Sequence, residues 1–156
     1  MGALLDTPHV GLTTRSASSC GSGTLDMVFN VAPEYLRTVR AVLEAHCPVW
    51  GVDDDTAARL VYVVNELVTN VLKHAEPDDN GMRPTSLLVT RVKDGISAIV
   101  SDRDPRPPIE RVAKDSDESG RGWALVQALC GAVSTGTTTL GKDVWVFIPT
   151  DNEAAA

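Results

Sequence analysis

Asp53-Asp54-Asp55-Thr56-Ala57-Ala58-Arg59-Leu60-Val61-Tyr62-Val63-Val64-Asn65-Glu66-Leu67-Val68-Thr69-Asn70-Val71-Leu72-Lys73-His74-Ala75 decides the fold. Ala57, Leu60, Val61, Val64, Leu67, Val68, Val71 and Leu72 recur at steps of three and four residues. That period belongs to one face of an amphipathic helix. The spacing predicts a helix over residues 54–75, the longest in the chain. Its opening Asp53-Asp54-Asp55 has two readings. One is a metal site. The stronger is a helix N-terminus, where aspartates cap free N–H groups and complement the dipole. Valine is a mediocre helix former, so this helix is expected to depend on burial.

Glu66, Asn70 and His74 are spaced four residues apart. Each such step advances about 40° past a full turn, so the three form a slanting row. The row borders the apolar stripe instead of opposing it. A carboxylate and an amide placed there need a partner, a water or a ligand. Read alone, the row is either a solvated edge or a site. Asn70 favours the site, because asparagine is a weak helix former. Its amide oxygen is a hard ligand of the kind Mg²⁺ takes. A carboxylate one turn away can act as general base. His74 alone reads more readily as a residue that caps a helix C-terminus than as one that works chemically.

Outward from this helix, the chain reads β-α-α-β-β-loop-α-β-β. Residues 1–24 are rich in Ser, Thr and Gly and read as a mobile tail. Residues 25–31 alternate like a strand, and Pro33 opens a helix marked by Leu36, Val39, Leu43 and Cys47. Residues 76–84 read as a loop. Thr85–Lys93 and Gly95–Asp102 read as strands joined by a type I′ turn at Asp94-Gly95. A Pro-rich loop spans 103–119, a helix is expected over 121–132, and strands over 133–139 and 143–148. The order lacks regular βαβ alternation. It predicts one α+β domain over 25–149, a two-layer sandwich with helices on one face of a mixed, mostly antiparallel sheet. Residues 150–156 read as a tail.

The formal charge of −7 argues against nonspecific nucleic-acid binding and against an anionic membrane surface, both of which need basic patches. It is compatible with a basic protein partner or with solubility alone. Three cysteines, at 20, 47 and 130, fit no zinc or CxxC spacing, so a reduced compartment, the cytoplasm, is expected. No run of about 18 apolar residues predicts a membrane span. Met1–Asp6 has neither the basic nor the apolar region of a signal peptide.

Two further pieces carry chemistry. Asp102 ends an apolar strand and can accept from an exocyclic amine such as that of adenine, or cap a turn. Asp104 suggests a paired carboxylate, although Pro105, Pro107 and Pro108 favour a rigid loop entry. Gly120-Arg121-Gly122 before a helix lets backbone N–H groups approach phosphate, or simply ends a flexible loop.

In order, Glu66-Leu67-Val68-Thr69-Asn70, His74-Ala75, Val100-Ser101-Asp102, Gly120-Arg121-Gly122 and Gly141-Lys142-Asp143-Val144-Trp145 resemble the GHKL ATPase superfamily with its Bergerat-type fold. That group includes gyrase, histidine kinase and mismatch-repair ATPase domains. Within it, the chain resembles the anti-sigma-factor serine/threonine kinases and their actinobacterial ATP-binding relatives, over residues 25–149. The resemblance implies a cytoplasmic protein that binds ATP and Mg²⁺, a sigma factor and an antagonist that it phosphorylates. A homodimer is common in such relatives. Asn70 would coordinate Mg²⁺, Glu66 would be the general base, and Asp102 would accept from the adenine amino group. Gly120 and Gly122 would hold the lid at the phosphates, with Arg121 among the nucleotide-binding residues. His74, Ala75, Val100, Trp123 and Leu125 would line the pocket or its rim, with Lys142 nearby. Two departures lie around the lid. Glycines usually follow the adenine-binding aspartate, and leucine usually stands where this chain has Trp123. A nucleotide-dependent interaction module without kinase activity is the main alternative. A detached histidine-phosphorylating domain is disfavoured, because no dimerisation helix with an acceptor histidine precedes residue 25.

Overall fold

The computed structural model describes residues 12–19, 22–106 and 118–150. Nine elements follow in order: β1 (Thr13–Ser19), β2 (Ser22–Asn30), α1 (Pro33–Val49), α2 (Asp54–His74), β3 (Pro84–Val92), β4 (Gly95–Asp102), α3 (Glu118–Leu129), β5 (Ala132–Thr137) and β6 (Lys142–Pro149). The strands form one six-stranded sheet in the order β1-β2-β3-β4-β6-β5. All five pairings are antiparallel, so the expected mixed character resolves to a purely antiparallel sheet among the described residues.

The apolar stripe of α2 does what its period requires. Leu60, Val63, Val64, Leu67, Val68 and Val71 are buried, and α2 packs against α1, α3, β4 and β6. Sheet residues at alternate positions, among them Leu25, Met27, Phe29, Leu87, Val89, Ala98 and Val146, complete one core. Each of these side chains larger than alanine contributes roughly 1.5–3 kcal/mol on burial. At the N-terminus of α2, Asp53 accepts from the Thr56 backbone N–H at 2.8 Å and from its hydroxyl at 2.7 Å. These bonds, the side-chain one foremost, hold the Asp53 carboxyl below its ordinary pKa. The acidic run is therefore a helix cap. No group of three metal-ligating side chains occurs among the described residues.

Three expectations need correction. Residues from Thr13 on are not tail: β1 pairs along its length with β2, Thr13 opposite Val28. Thr13, Thr14, Arg15, Ser16 and Ala17 are all exposed, so this edge strand carries no apolar alternation to betray it. The β3–β4 turn is Lys93-Asp94, because Gly95 already pairs with Val92. It is not type I′, since neither residue has a positive φ. Finally, α3 starts at Glu118, so Gly120 and Gly122 lie inside its first turns and not ahead of it. The expected tails at 1–11 and 151–156 lie outside the described residues, as does 107–117 of the Pro-rich loop.

Candidate functional site

The polar row of α2 borders the core as its spacing predicts. Glu66 and Asn70 are both half-buried. Among the described residues neither side chain has a hydrogen-bond or ion-pair partner, although the Glu66 charge, after burial itself, helps raise the pKa of the Tyr62 hydroxyl one turn away. A half-buried carboxylate and amide without protein partners are costly unless water or a ligand completes them. His74 is exposed at the end of the helix, and Ala75 is buried at its C-cap.

α3 brings Gly122 against this row. A Cβ there would meet Glu66 Oε2, so any larger residue would push the Glu66 carboxylate out of its present place. The two glycines thus divide their work. Gly120 is the third residue of α3, where backbone N–H groups have no partner within the helix. Gly122, the fifth, has its N–H inside the helical ladder, and its use is proximity to Glu66. Arg121 and Leu125 are exposed, and Trp123 packs against the core with its indole N–H unpartnered among the described residues.

Asp102 ends β4, buried beside buried Val100 and directly opposite Lys142 of β6. Lys142 Nζ lies 3.3 Å from Asp102 Oδ2, and the Asp104 backbone N–H donates to Oδ1 at 2.7 Å. Gly141 makes the junction possible, because a Cβ there would strike the Asp102 carbonyl and the Arg103 backbone.

Sequence reasoning missed the role of the stretch after Asp102. Asp104 is buried and accepts from the Glu76 backbone N–H at 3.2 Å, the Arg106 backbone N–H at 3.0 Å and Arg106 Nε at 2.9 Å. The Arg106 guanidinium, first among these, holds the Asp104 carboxyl well below the usual carboxylate range. Arg106 Nη2 also donates to the His74 carbonyl at 2.9 Å, and Lys142 Nζ donates to the Arg106 carbonyl at 3.0 Å. Residues 102–106 thus form a strap from the end of β4 to the C-terminal end of α2. Both carboxylate oxygens of Asp104 accept hydrogen bonds from its own chain, so it anchors this strap. The strap brings Asp102 to the end of α2 that carries Asn70 and His74.

A cavity of about 530 Å³ lies elsewhere, between α1 and α2, lined in part by Arg40, Glu44, Cys47, Tyr62 and Asn65. It contains none of the expected site residues. Burial pushes the thiols of Cys47 and Cys130 up to about 11, so both are protonated small hydrophobes at neutral pH.

The antiparallel sheet with the described helices packed against it is the fold of an ATPase domain of the histidine kinase-like, or GHKL, type. The profile of the histidine kinase-like ATPase domain matches residues 29–148, and the chain belongs to that family. ATP is the nucleotide that membership implies. Among solved structures, the RsbU and RsbW domains of Rv1364c from Mycobacterium tuberculosis match with a TM-score of 0.63 at 18% identity. The match covers 85% of this chain and 34% of that one, so this chain spans about a third of its length. At that identity the likeness establishes the fold. No curated protein matches. No described helix is long and apolar enough to cross a membrane.

Proposed function

We propose that this chain is a cytoplasmic anti-sigma-factor serine/threonine kinase that binds ATP with Mg²⁺, holds a sigma factor and phosphorylates a serine on an antagonist protein. The observation that carries this reading is the pair Glu66 and Asn70, half-buried and without described protein partners, with Glu66 lying against Gly122. The ordered resemblance of the whole motif set supports the choice of substrate class.

The residues present fit the nucleotide. The Asn70 amide oxygen suits Mg²⁺, which commonly takes one or two protein ligands and completes its shell with phosphate and water. Asp102 retains lone pairs for the adenine amino group. The free N–H groups of the first turn of α3, Gly120 among them, suit phosphate oxygens. His74, Ala75, Val100, Arg121, Trp123, Leu125 and Lys142 form the surroundings. Glu66 accepts the proton of the incoming serine hydroxyl, while Mg²⁺, when bound, neutralises charge on the transferring group.

Incubating Glu66→Gln with ATP and a matched antagonist tests the role. Transfer is expected to be lost with ATP binding kept, and unchanged transfer contradicts it. The alternative, an interaction module without transferase activity, draws on the strap, since Asp104 and Arg106 stand in the stretch after Asp102 where the kinases usually carry glycines. ATP consumption on adding antagonist separates the two.

A further inference from the structure

Lys142 and Asp102 form a donor–acceptor pair whose hydrogen-bonding capacity is only partly used. Both sit at the same sheet end in direct cross-strand register. The Lys142 side chain is 13% exposed and that of Asp102 is 4% exposed. A lysine ammonium has three N–H donors and a carboxylate about four acceptor positions. Lys142 spends one donor on the Arg106 carbonyl and pairs by charge with Asp102 Oδ2 at 3.3 Å. Asp102 spends one acceptor position, on Oδ1, on the Asp104 N–H. Two ammonium donors and at least one acceptor on each carboxylate oxygen remain, in a mostly water-excluded place.

We propose that Lys142 is a specificity-determining residue that donates to ring nitrogen N1 of adenine while Asp102 accepts from the 6-amino group. This rests on the reading of Asp102 as the adenine acceptor. Adenine presents a donor at position 6 next to an acceptor at N1. The Asp102–Lys142 pair presents the complement, an acceptor next to a donor. Guanine and hypoxanthine carry the opposite order, an oxygen at position 6 and an N–H at N1. They would set oxygen against carboxylate and N–H against ammonium. Such like-with-like contacts in a desolvated site are strongly disfavoured. Two anchors hold the donor in place: the Gly141 contact that sets the register and the Arg106 carbonyl on the strap.

Titration of the full chain with Mg²⁺ and either ATP or 1-deaza-ATP, which lacks the N1 acceptor, tests this. The wild type is expected to bind ATP about tenfold more tightly than 1-deaza-ATP, as for the loss of one hydrogen bond to a charged donor. Lys142→Met should bind both equally, at the weaker level. Lys142→Gln, whose amide keeps an N–H, should recover part of the preference for ATP. Melting curves without nucleotide show whether each variant folds, and the wild-type comparison stands even where a variant does not. Equal binding of the two nucleotides by the wild type overturns the proposal and leaves the ATP site intact. Tighter ATP binding by Lys142→Met also overturns it, since the lysine would then be shielding Asp102. No ATP binding by the wild type defeats the ATP-site reading itself.

Discussion

The polar row of α2 and the strap after β4 both set polar side chains beside the core, but they satisfy them in opposite ways. In the strap, the Asp104 carboxylate takes backbone donors from Glu76 and Arg106 and the Arg106 side chain, and Lys142 closes the arrangement onto the Arg106 carbonyl. In the row, Glu66 and Asn70 have no described protein partner, and α3 meets Glu66 at a glycine. The difference teaches where to look for chemistry. A buried acid that is fully bonded by its own chain holds structure. A half-buried acid and amide left open are available to a ligand. Asp102 stands between the two, partly spent and partly open.

Ways to break this contrast differ in expected size. The largest effect is on Glu66→Gln, which should lower phosphoryl transfer to a matched antagonist by about 10²–10⁴-fold, read by phosphoprotein gels, while its melting temperature without nucleotide stays near that of the wild type. Next comes Asp104→Ala. It leaves the Glu76 N–H and the Arg106 groups without their acceptor, and chemical denaturation should show a loss of about 2 kcal/mol. If Asp104→Ala is instead neutral in stability and abolishes ATP binding, the division between strap and row is wrong.

The acid limb gives a finer test. Arg106 keeps the Asp104 carboxyl ionised to unusually low pH in the folded state. The unfolded chain therefore takes up a proton first, and stability rises with pH across that range. The contribution of Asp104 should be fully present above about pH 4, the ordinary aspartate value, and lost as pH falls through its depressed value. Asp104→Asn should flatten the wild-type slope below about pH 4 in urea titrations. Smallest is Asp53→Ala at the α2 N-cap, expected to cost about 1 kcal/mol with no change in nucleotide binding.

Much of this was legible in the sequence, for physical reasons. The stripe of α2 and the alternation of β3, β4 and β6 announce themselves because one face of each is buried. β1 was not legible, because an exposed edge strand is held by backbone bonds that any residue supplies. The start of α3 was obscured by Gly120 and Gly122, which weaken a helix pattern; at Gly122 the reason is a contact with Glu66 that only the fold creates. Glu66, Asn70 and Asp102 stood out through their spacing and order. The Lys142–Asp102 pair depends on cross-strand register, and the Asp104–Arg106 anchor on the approach of Glu76 and His74, and neither is written in local sequence.

The central claim is that the open row on α2 is the ATP–Mg²⁺ site. Its most direct test is the melting temperature of wild type and Asn70→Ala against ATP with Mg²⁺. At 100 times Kd, nucleotide should add about 2.7 kcal/mol to the stability of the wild type. Asn70→Ala should match the wild type without nucleotide and gain little with it. No nucleotide-dependent rise in the wild type, or an undiminished rise in Asn70→Ala, contradicts the claim.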